Sequence, residues 1–116
     1  MIRRASVIVV AALSLGACGE GGGGAAVDSE PARTNRVVLP KSYRFDPSAI
    51  EVEAGATVTW VNEDDFPHNV TLLDGSDVSR ALPVGASATI TFEEAGEVQY
   101  ECSLHPQQMQ GRVVVV

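Results

Sequence analysis

From residue 36 to the C-terminus, apolar residues alternate with polar ones in short runs that turn residues separate. Alternation with a period of two predicts β-strands that bury one face. The predicted strands cover residues 37–39, 50–53, 57–61, 68–73, 88–92, 98–100 and 113–116. Seven or eight short strands within 81 residues, without a helical period, predict an all-β domain built as an antiparallel sandwich or a small barrel.

The last apolar run differs from the others because residues 113–116 are four consecutive valines. A continuous apolar run is typical of a strand that is covered on both faces. Gly111 and Arg112 give the run a defined start. We therefore expect a core strand here rather than an exposed apolar tail.

The N-terminus carries a different pattern, in which Arg3 and Arg4 precede an apolar run over residues 5–13. This run is shorter than the roughly 20 residues of a membrane span and is typical of a signal peptide. It ends in Leu15, Gly16, Ala17 and Cys18, which resemble the lipobox of bacterial lipoproteins. The resemblance implies a signal peptide over residues 1–17 and an acylated Cys18. The alternative is an ordinary secretory peptide that leaves Cys18 as a thiol.

Residues 18–35 are rich in Gly and small polar residues and have no hydrophobic period. Such a segment does not bury a core, so we expect a flexible tether between the acylated Cys and a domain over residues 36–116. On the scaling for Gly-rich chains, its mean reach is roughly 20–25 Å.

Length and composition limit the number of domains and the kinds of function that this chain can have. The 116 residues, with 15 acidic and 8 basic side chains, allow one small domain and argue against a nucleic-acid surface built on positive charge. Removal of Arg3 and Arg4 with the signal peptide would make the exported chain more acidic still. Two Cys residues are too few for a disulfide scaffold.

The candidate chemistry lies in four side chains. After processing and acylation, the chain retains one free Cys, two His and one Met, and three of these fall in one short segment that contains Cys102, His105 and Met109. The fourth, His68, begins a predicted strand far upstream. Two imidazoles, a thiolate and a weak thioether are the ligand set of a blue-copper electron-transfer site.

Other chemistries fit these residues less well. Structural zinc sites use two to four Cys residues, and non-heme iron prefers two His and a carboxylate. A catalytic pair of Cys102 and a His is conceivable, but it would need neither Met109 nor a second His. Each residue alone could be an ordinary buried or polar side chain, but together they match a metal-ligand pattern.

The domain also resembles the plastocyanin and amicyanin branch of the cupredoxins. The resemblance lies in four segments, which are residues 55–62, 66–70, 95–106 and 111–115. It implies a Greek-key β-sandwich with one type 1 copper at one end, held by His68, Cys102, His105 and Met109. It also implies that Asn69 braces the ligand loop near Ser103, whereas a solvent-facing strand residue is the alternative for Asn69.

Two features depart from the family pattern. Three residues separate His105 from Met109, whereas amicyanin-like loops have two and plastocyanin-like loops have four. The axial ligand is therefore either Met109 or a neighbouring Gln. In addition, Glu101 stands where the plastocyanin pattern has an aromatic residue, which argues against a remote electron route through that side chain.

We therefore expect a monomeric, exported electron carrier that cycles between Cu(II) and Cu(I). It would be lipid-anchored, on the outer face of the plasma membrane or in the periplasm. Electrons would pass through the His105 edge, where Pro67, Leu104 and Pro106 would form an apolar docking rim for redox partner proteins. Acidic clusters would steer partners with basic surfaces.

A copper enzyme and a copper-delivery protein are the two alternative functions. Copper enzymes that contain this fold use further domains and additional His clusters, and two His residues are too few for such catalysis. A copper-binding or copper-delivery protein remains the alternative, because the same ligands could bind the ion without a redox partner.

Overall fold

A computed structural model describes residues 30–116 and contains nine strands in that range. They are β1 (Ala32–Arg33), β2 (Arg36–Leu39), β3 (Ala49–Val52), β4 (Ala56–Asn62), β5 (His68–Leu72), β6 (Ser79–Leu82), β7 (Ser87–Phe92), β8 (Gly96–Glu101) and β9 (Gln110–Val115). Each strand predicted from the alternation has a counterpart. Within the described range no helix is long and apolar enough to cross a membrane.

The strands form two sheets. One has six strands in the order β1-β3-β9-β8-β5-β6, and the other has three in the order β2-β4-β7. Apolar side chains from both sheets meet between them, which confirms the predicted all-β sandwich. Trp60 of β4 and Tyr100 of β8 are the two largest fully buried side chains, and their rings meet edge to face at 5.3 Å.

The expectation of a purely antiparallel arrangement is wrong. Strands β1 and β3, β2 and β4, and β3 and β9 pair in parallel, whereas β4–β7, β5–β6, β5–β8 and β8–β9 are antiparallel. Alternation along a strand determines which face is buried, but it carries no information on the direction of the neighbouring strand.

The domain also begins earlier than expected. Ala32 and Arg33 pair with Ile50 and Glu51, so the last residues assigned to the tether belong to the sheet. An ion pair of 2.9 Å between Arg33 and Glu51 accompanies this pairing. The expected signal peptide, Cys18 and the tether up to residue 29 lie outside the described residues.

Three of the four terminal valines, residues 113–115, lie in β9, between β3 and β8. Val113 and Val115 are buried, Val114 is half-buried and Val116 is exposed, so the strand alternates like its neighbours. The strand is central, as expected, although it is not covered equally on its two faces. Gly111 fits under Tyr100, because a Cβ at this position would overlap the Tyr100 ring and approach the Ser48 carbonyl oxygen at 2.8 Å.

Strand direction brings the candidate ligands together. Strands β5 and β8 are antiparallel, with Thr71 opposite Glu101, so the start of β5 and the end of β8 lie at the same end of the sandwich. Since His68 opens β5 and Cys102 follows β8, both lie there. We call this the metal end, and the turns at 53–55, 73–78 and 93–95 lie at the opposite end.

Candidate metal centre

Three side chains converge at the metal end. One ligand atom from each of His68, Cys102 and His105 lies within 4.8 Å of the others. His68 Nδ1 is 3.7 Å from Cys102 Sγ. Cys102 is fully buried and His68 is 3% exposed, whereas His105 is half-buried.

The connection between β8 and β9 positions two of these residues. This ligand loop, residues 102–109, is closed by backbone hydrogen bonds from His105 N to Cys102 O (3.0 Å), from Met109 N to His105 O (2.9 Å) and from Cys102 N to Met109 O (3.1 Å). Gln108 N also donates to His105 O at 3.1 Å, so four backbone bonds lie within these eight residues. These bonds define the backbone from which the Cys102 and His105 side chains project.

Met109 differs from the two glutamines that precede it in how far its side chain is buried. Met109 is fully buried among the core residues, whereas Gln107 and Gln108 are exposed. A buried thioether at the end of the ligand loop can serve as a weak axial ligand. Because the side chains of Gln107 and Gln108 are exposed, they are poorer candidates than Met109 for a ligand of a buried site.

The pattern of buried polar atoms fits a bound metal ion. His105 Nδ1 is buried and has no hydrogen-bond partner among the described residues, which is costly for a ring nitrogen unless something binds its lone pair. The 3.7 Å between His68 Nδ1 and Cys102 Sγ also fits two ligands of one ion, since metal–nitrogen and metal–sulfur bonds of about 2.0–2.3 Å place such atoms roughly 3–4 Å apart. Two imidazoles with thiolate and thioether sulfur favour copper.

Asn69 lies against the ligand loop. Its Nδ2 donates to Ser103 Oγ at 2.8 Å, and its Oδ1 accepts from the Ser103 backbone N–H at 2.9 Å. Thr71 donates a further hydrogen bond to the same Oδ1 at 2.9 Å. Strand β5 and the residue that follows Cys102 are therefore tied by two direct bonds.

A buried carboxylate stands behind His68, and the sequence did not predict it. Asp64 Oδ2 accepts a hydrogen bond of 2.8 Å from His68 Nε2, and Asp64 is 5% exposed. The His68 hydrogen bond lowers the pKa of the Asp64 carboxyl below its ordinary value, although burial opposes this shift. The sequence places Asp64 in an acidic run that resembles a solvated surface, and its i, i+4 spacing from His68 was the available signal.

An aromatic side chain covers the outer side of the two imidazoles. The Tyr43 ring packs edge-on against His105 with a centroid distance of 4.8 Å and against His68 at 5.7 Å. Phe66, 51% exposed, stacks on Tyr43 at 5.9 Å. Tyr43 has a φ of 55°, a left-handed conformation that is uncommon outside glycine. Nothing in the local sequence around Tyr43 indicated this contact.

The expected docking residues are at the surface of the metal end. Leu104 is 57% exposed, and Pro67 and Pro106 are also exposed. They adjoin the ligands in sequence, since Pro67 precedes His68 and the other two flank His105. Phe66 adds a large apolar side chain next to Pro67, which the sequence reasoning did not include.

Comparisons with known proteins agree with this site. The sequence profile of copper-binding proteins of the plastocyanin/azurin family matches residues 34–116. Amicyanin-alpha of Methylorubrum extorquens is 33% identical over 95 residues, which cover 78% of this chain and 78% of the relative. Amicyanin of Paracoccus denitrificans is 38% identical over 84 residues, which cover 68% of this chain and 63% of the relative.

Solved structures show the same similarity. Amicyanin from Paracoccus versutus has a TM-score of 0.63 and 34% identity, covering 79% of this chain and 89% of its own. A purple cupredoxin from Nitrosopumilus maritimus has a TM-score of 0.64 and 29% identity, covering 72% of this chain and all of its own.

A β-sandwich with two imidazoles and a thiolate gathered at one end defines the cupredoxin class. This chain belongs to the copper-binding plastocyanin/azurin family. Its cofactor is one type 1 copper, and its class is that of copper electron carriers rather than enzymes. The family, the fold and the cofactor predicted from the sequence are thus confirmed.

Proposed function

We propose that this protein is a membrane-anchored, extracytoplasmic electron carrier whose copper is held by His68, Cys102, His105 and Met109. The observation that carries the proposal is that ligand atoms of His68, Cys102 and His105 lie within 4.8 Å of one another at the metal end. Two of these residues, Cys102 and His105, belong to the ligand loop that backbone hydrogen bonds close. When bound, copper supplies a one-electron couple between Cu(II) and Cu(I). The protein holds the ligands and excludes water.

Burial and loop closure suit this task. Imidazole serves both copper oxidation states and sulfur favours Cu(I), so a fixed set of both is a compromise that needs little rearrangement. The burial of Cys102, His68 and Met109 keeps solvent from the site. Met109 is the axial ligand in this proposal, because Gln107 and Gln108 are exposed.

The location follows from the N-terminal sequence. A positive start, a short apolar run and a lipobox-like ending at Cys18 support export and acylation, after which the Gly-rich segment would tether the domain. Membrane association is tested by fractionating cells that express the wild-type chain or Cys18→Ser. The variant should appear in the soluble fraction, and equal membrane association of both chains would contradict the anchor.

The electron path proposed here runs through His105, the half-exposed member of the ligand set. Exposed apolar side chains at Pro67, Leu104 and Pro106 form the docking rim, to which Phe66 is added. Weak redox encounters bury less than about 1,200 Å², so a small apolar rim suits partners of this kind. The partners are redox proteins, and the protein acts as a monomer.

Voltammetry and copper-binding measurements distinguish an electron carrier from a copper-delivery protein. The full chain, purified in detergent and loaded with copper, should show a reversible Cu(II)/Cu(I) couple and fast electron self-exchange. Tight Cu(I) binding without a stable Cu(II) form would contradict the carrier and support delivery.

Replacement of exposed Leu104 by Asp should slow self-exchange and leave the potential nearly unchanged, because the change lies on the rim rather than in the ligand set.

A further inference from the structure

Asp64 is a buried carboxylate outside the ligand set. Its side chain is 4% exposed, and its Oδ2 lies 2.8 Å from His68 Nε2. Burying a carboxylate is costly unless hydrogen bonds compensate for the lost water. The Asp64 carboxylate accepts two such bonds, one from His68 Nε2 and one from Asp65 N to its Oδ1 at 2.7 Å. The proposed ligand role of His68 makes no use of this arrangement.

Asn62 holds the segment that carries Asp64. The Asn62 side chain is buried and donates to the carbonyl oxygens of Phe66 and Leu82 at 2.9 Å each. Its Oδ1 accepts from Asp64 N at 2.8 Å. Because Asn62 ends β4 and Leu82 ends β6, the position of the carboxylate is set by both sheets.

The hydrogen bond determines which nitrogen of His68 carries the proton. A carboxylate oxygen can only accept, so Nε2 must be the donor. In a neutral imidazole this leaves Nδ1 with its lone pair, and Nδ1 is the atom that faces Cys102 Sγ. An anionic acceptor also increases the basicity of a ligating imidazole.

A fixed negative charge behind a ligand affects the two copper oxidation states unequally. It favours the more positive ion, and the effect is larger at a buried position than at an exposed one because solvent screens less. A buried anion in contact with His68 should therefore favour Cu(II) over Cu(I).

We propose that Asp64 is a positioning residue, which orients His68 with Nδ1 free to bind copper and lowers the reduction potential of the site. The proposal deepens the proposed function and rests on it, because it takes His68 as a copper ligand. It adds a residue whose charge sets how readily the carrier releases its electron.

The neighbouring residue supplies a matched control. Asp65 carries the same charge, but its side chain is 68% exposed and pairs with Lys41 at 3.4 Å. No hydrogen bond joins its carboxylate to His68. Asp64→Asn and Asp65→Asn therefore remove the same charge from adjacent positions, and only the first changes the contact with the imidazole.

The first experiment measures the reduction potential of the copper-loaded full chain in wild type, Asp64→Asn and Asp65→Asn. All three should show blue thiolate-to-copper absorption. Asp64→Asn should lower the affinity for Cu(II) relative to Cu(I) about tenfold, which is a rise of about 59 mV for a one-electron couple. Asp65→Asn should change the ratio less than about twofold, and Asp64→Glu should recover part of the shift.

The second experiment reads the proton position in the copper-free wild-type chain by ¹⁵N NMR of the imidazoles. The proton of neutral His68 should lie on Nε2. A proton on Nδ1 would overturn the positioning role, and this measurement does not require that Asp64→Asn folds.

Failures of the two proposals look different. A wild-type chain without blue absorption contradicts the proposed copper ligands, and with them the effect of Asp64 on the potential. Blue proteins in which Asp64→Asn and Asp65→Asn have equal potentials contradict the inference about Asp64 and leave the proposed function intact.

Discussion

At the scale of single residues, burial distinguishes the candidate ligands His105 and Met109 from the residues beside them. His105 keeps a ring nitrogen buried without a partner among residues 30–116, and Met109 is fully buried although it ends a loop whose preceding two residues are exposed. Their burial is understandable if both face a bound ion. The sequence left the choice between Met109 and a Gln open because spacing alone does not report burial.

The axial role of Met109 is tested by replacing it. Met109→Leu preserves the volume and removes the thioether, so we expect copper to be retained and the reduction potential to rise by roughly 60 mV, a tenfold change in relative affinity. The exposed Gln108→Leu is the control and should leave the potential unchanged. A shift with Gln108→Leu and none with Met109→Leu would assign the axial position to the amide.

Tyr100 gives a prediction on alkaline stability. The Tyr100 hydroxyl is buried and makes no hydrogen bond of ordinary geometry within the described residues. The nearby Trp60 side chain lowers the Tyr100 pKa a little, against the larger and opposite effect of burial. Burial raises the pKa of Tyr100 above its ordinary value of 10.0. The folded chain therefore keeps a proton that the unfolded chain loses above about pH 10, so the stabilising contribution is present below that pH and is lost as the pH rises further.

Denaturant unfolding of the copper-free full chain at pH 8 and pH 11 measures this effect. Wild type should lose stability between the two values, and Tyr100→Phe, which has no proton to lose, should lose less. An equal loss in both chains would contradict the assignment.

Asp64 shows what sequence patterns miss at this scale. Three consecutive acidic residues at 63–65 look like a solvated surface, and two of them are exposed. The middle one is buried because Asn62 and His68 hold it from both sides. Hydrophobicity does not encode these side-chain hydrogen bonds, so the only signal in the sequence was the i, i+4 spacing between Asp64 and His68.

At the scale of elements, strand β5 and the ligand loop act as one unit. The paired bonds between Asn69 and Ser103 join them, at 2.8 and 2.9 Å. The sequence alone is compatible with Asn69 as either a brace or a solvent-facing residue. The contacts favour the brace.

Removal of this brace should weaken the fold at the metal end. Asn69→Ala removes bonds to Ser103 and Thr71, and we expect the free energy of unfolding to fall by about 1–3 kcal/mol. Asn35→Ala is the matched control, because Asn35 makes one exposed bond of 3.3 Å to Thr57 at the opposite end. Its loss should stay below about 0.5 kcal/mol. Equal losses in the two variants, measured by denaturant unfolding, would contradict the role of the brace.

Strand positions were predictable to a large extent, and strand partners were not. The alternation around Trp60 and Ile90 defined β4 and β7, but β6 has three exposed residues in four and gave no such signal. β1 has only two residues, so its pairing with β3 depends on the sheet that is already there. Parallel pairing depends on contacts far apart in the chain, which a local pattern does not contain.

At the scale of the whole molecule, charge and chemistry are separated. The acidic clusters at 74–77 and 93–97 lie at the opposite end from the candidate ligands, in turns and at the start of β8. At the metal end, Asp64 is buried against His68 and Asp65 pairs with Lys41, whereas Glu63 is exposed. The exposed side chains beside His105, Leu104 and Pro106, are apolar, so the proposed steering by the clusters at the opposite end would act on a partner from a distance.

This separation makes the steering hypothesis testable. If a basic partner is attracted by the distant acidic end, its reaction rate should fall as ionic strength rises from about 10 mM to about 150 mM, since the Debye length shrinks from about 30 Å to about 8 Å over that range. A neutral small-molecule oxidant is the control and should show little dependence. A salt-independent rate with the basic partner would contradict steering.

The copper centre is tested most directly by titrating the copper-free full chain with Cu(II) and recording the visible spectrum. We expect one equivalent to produce an intense blue thiolate-to-copper band, and Cys102→Ser to abolish it. Absence of the band in wild type, or its survival in Cys102→Ser, would contradict the copper site described here.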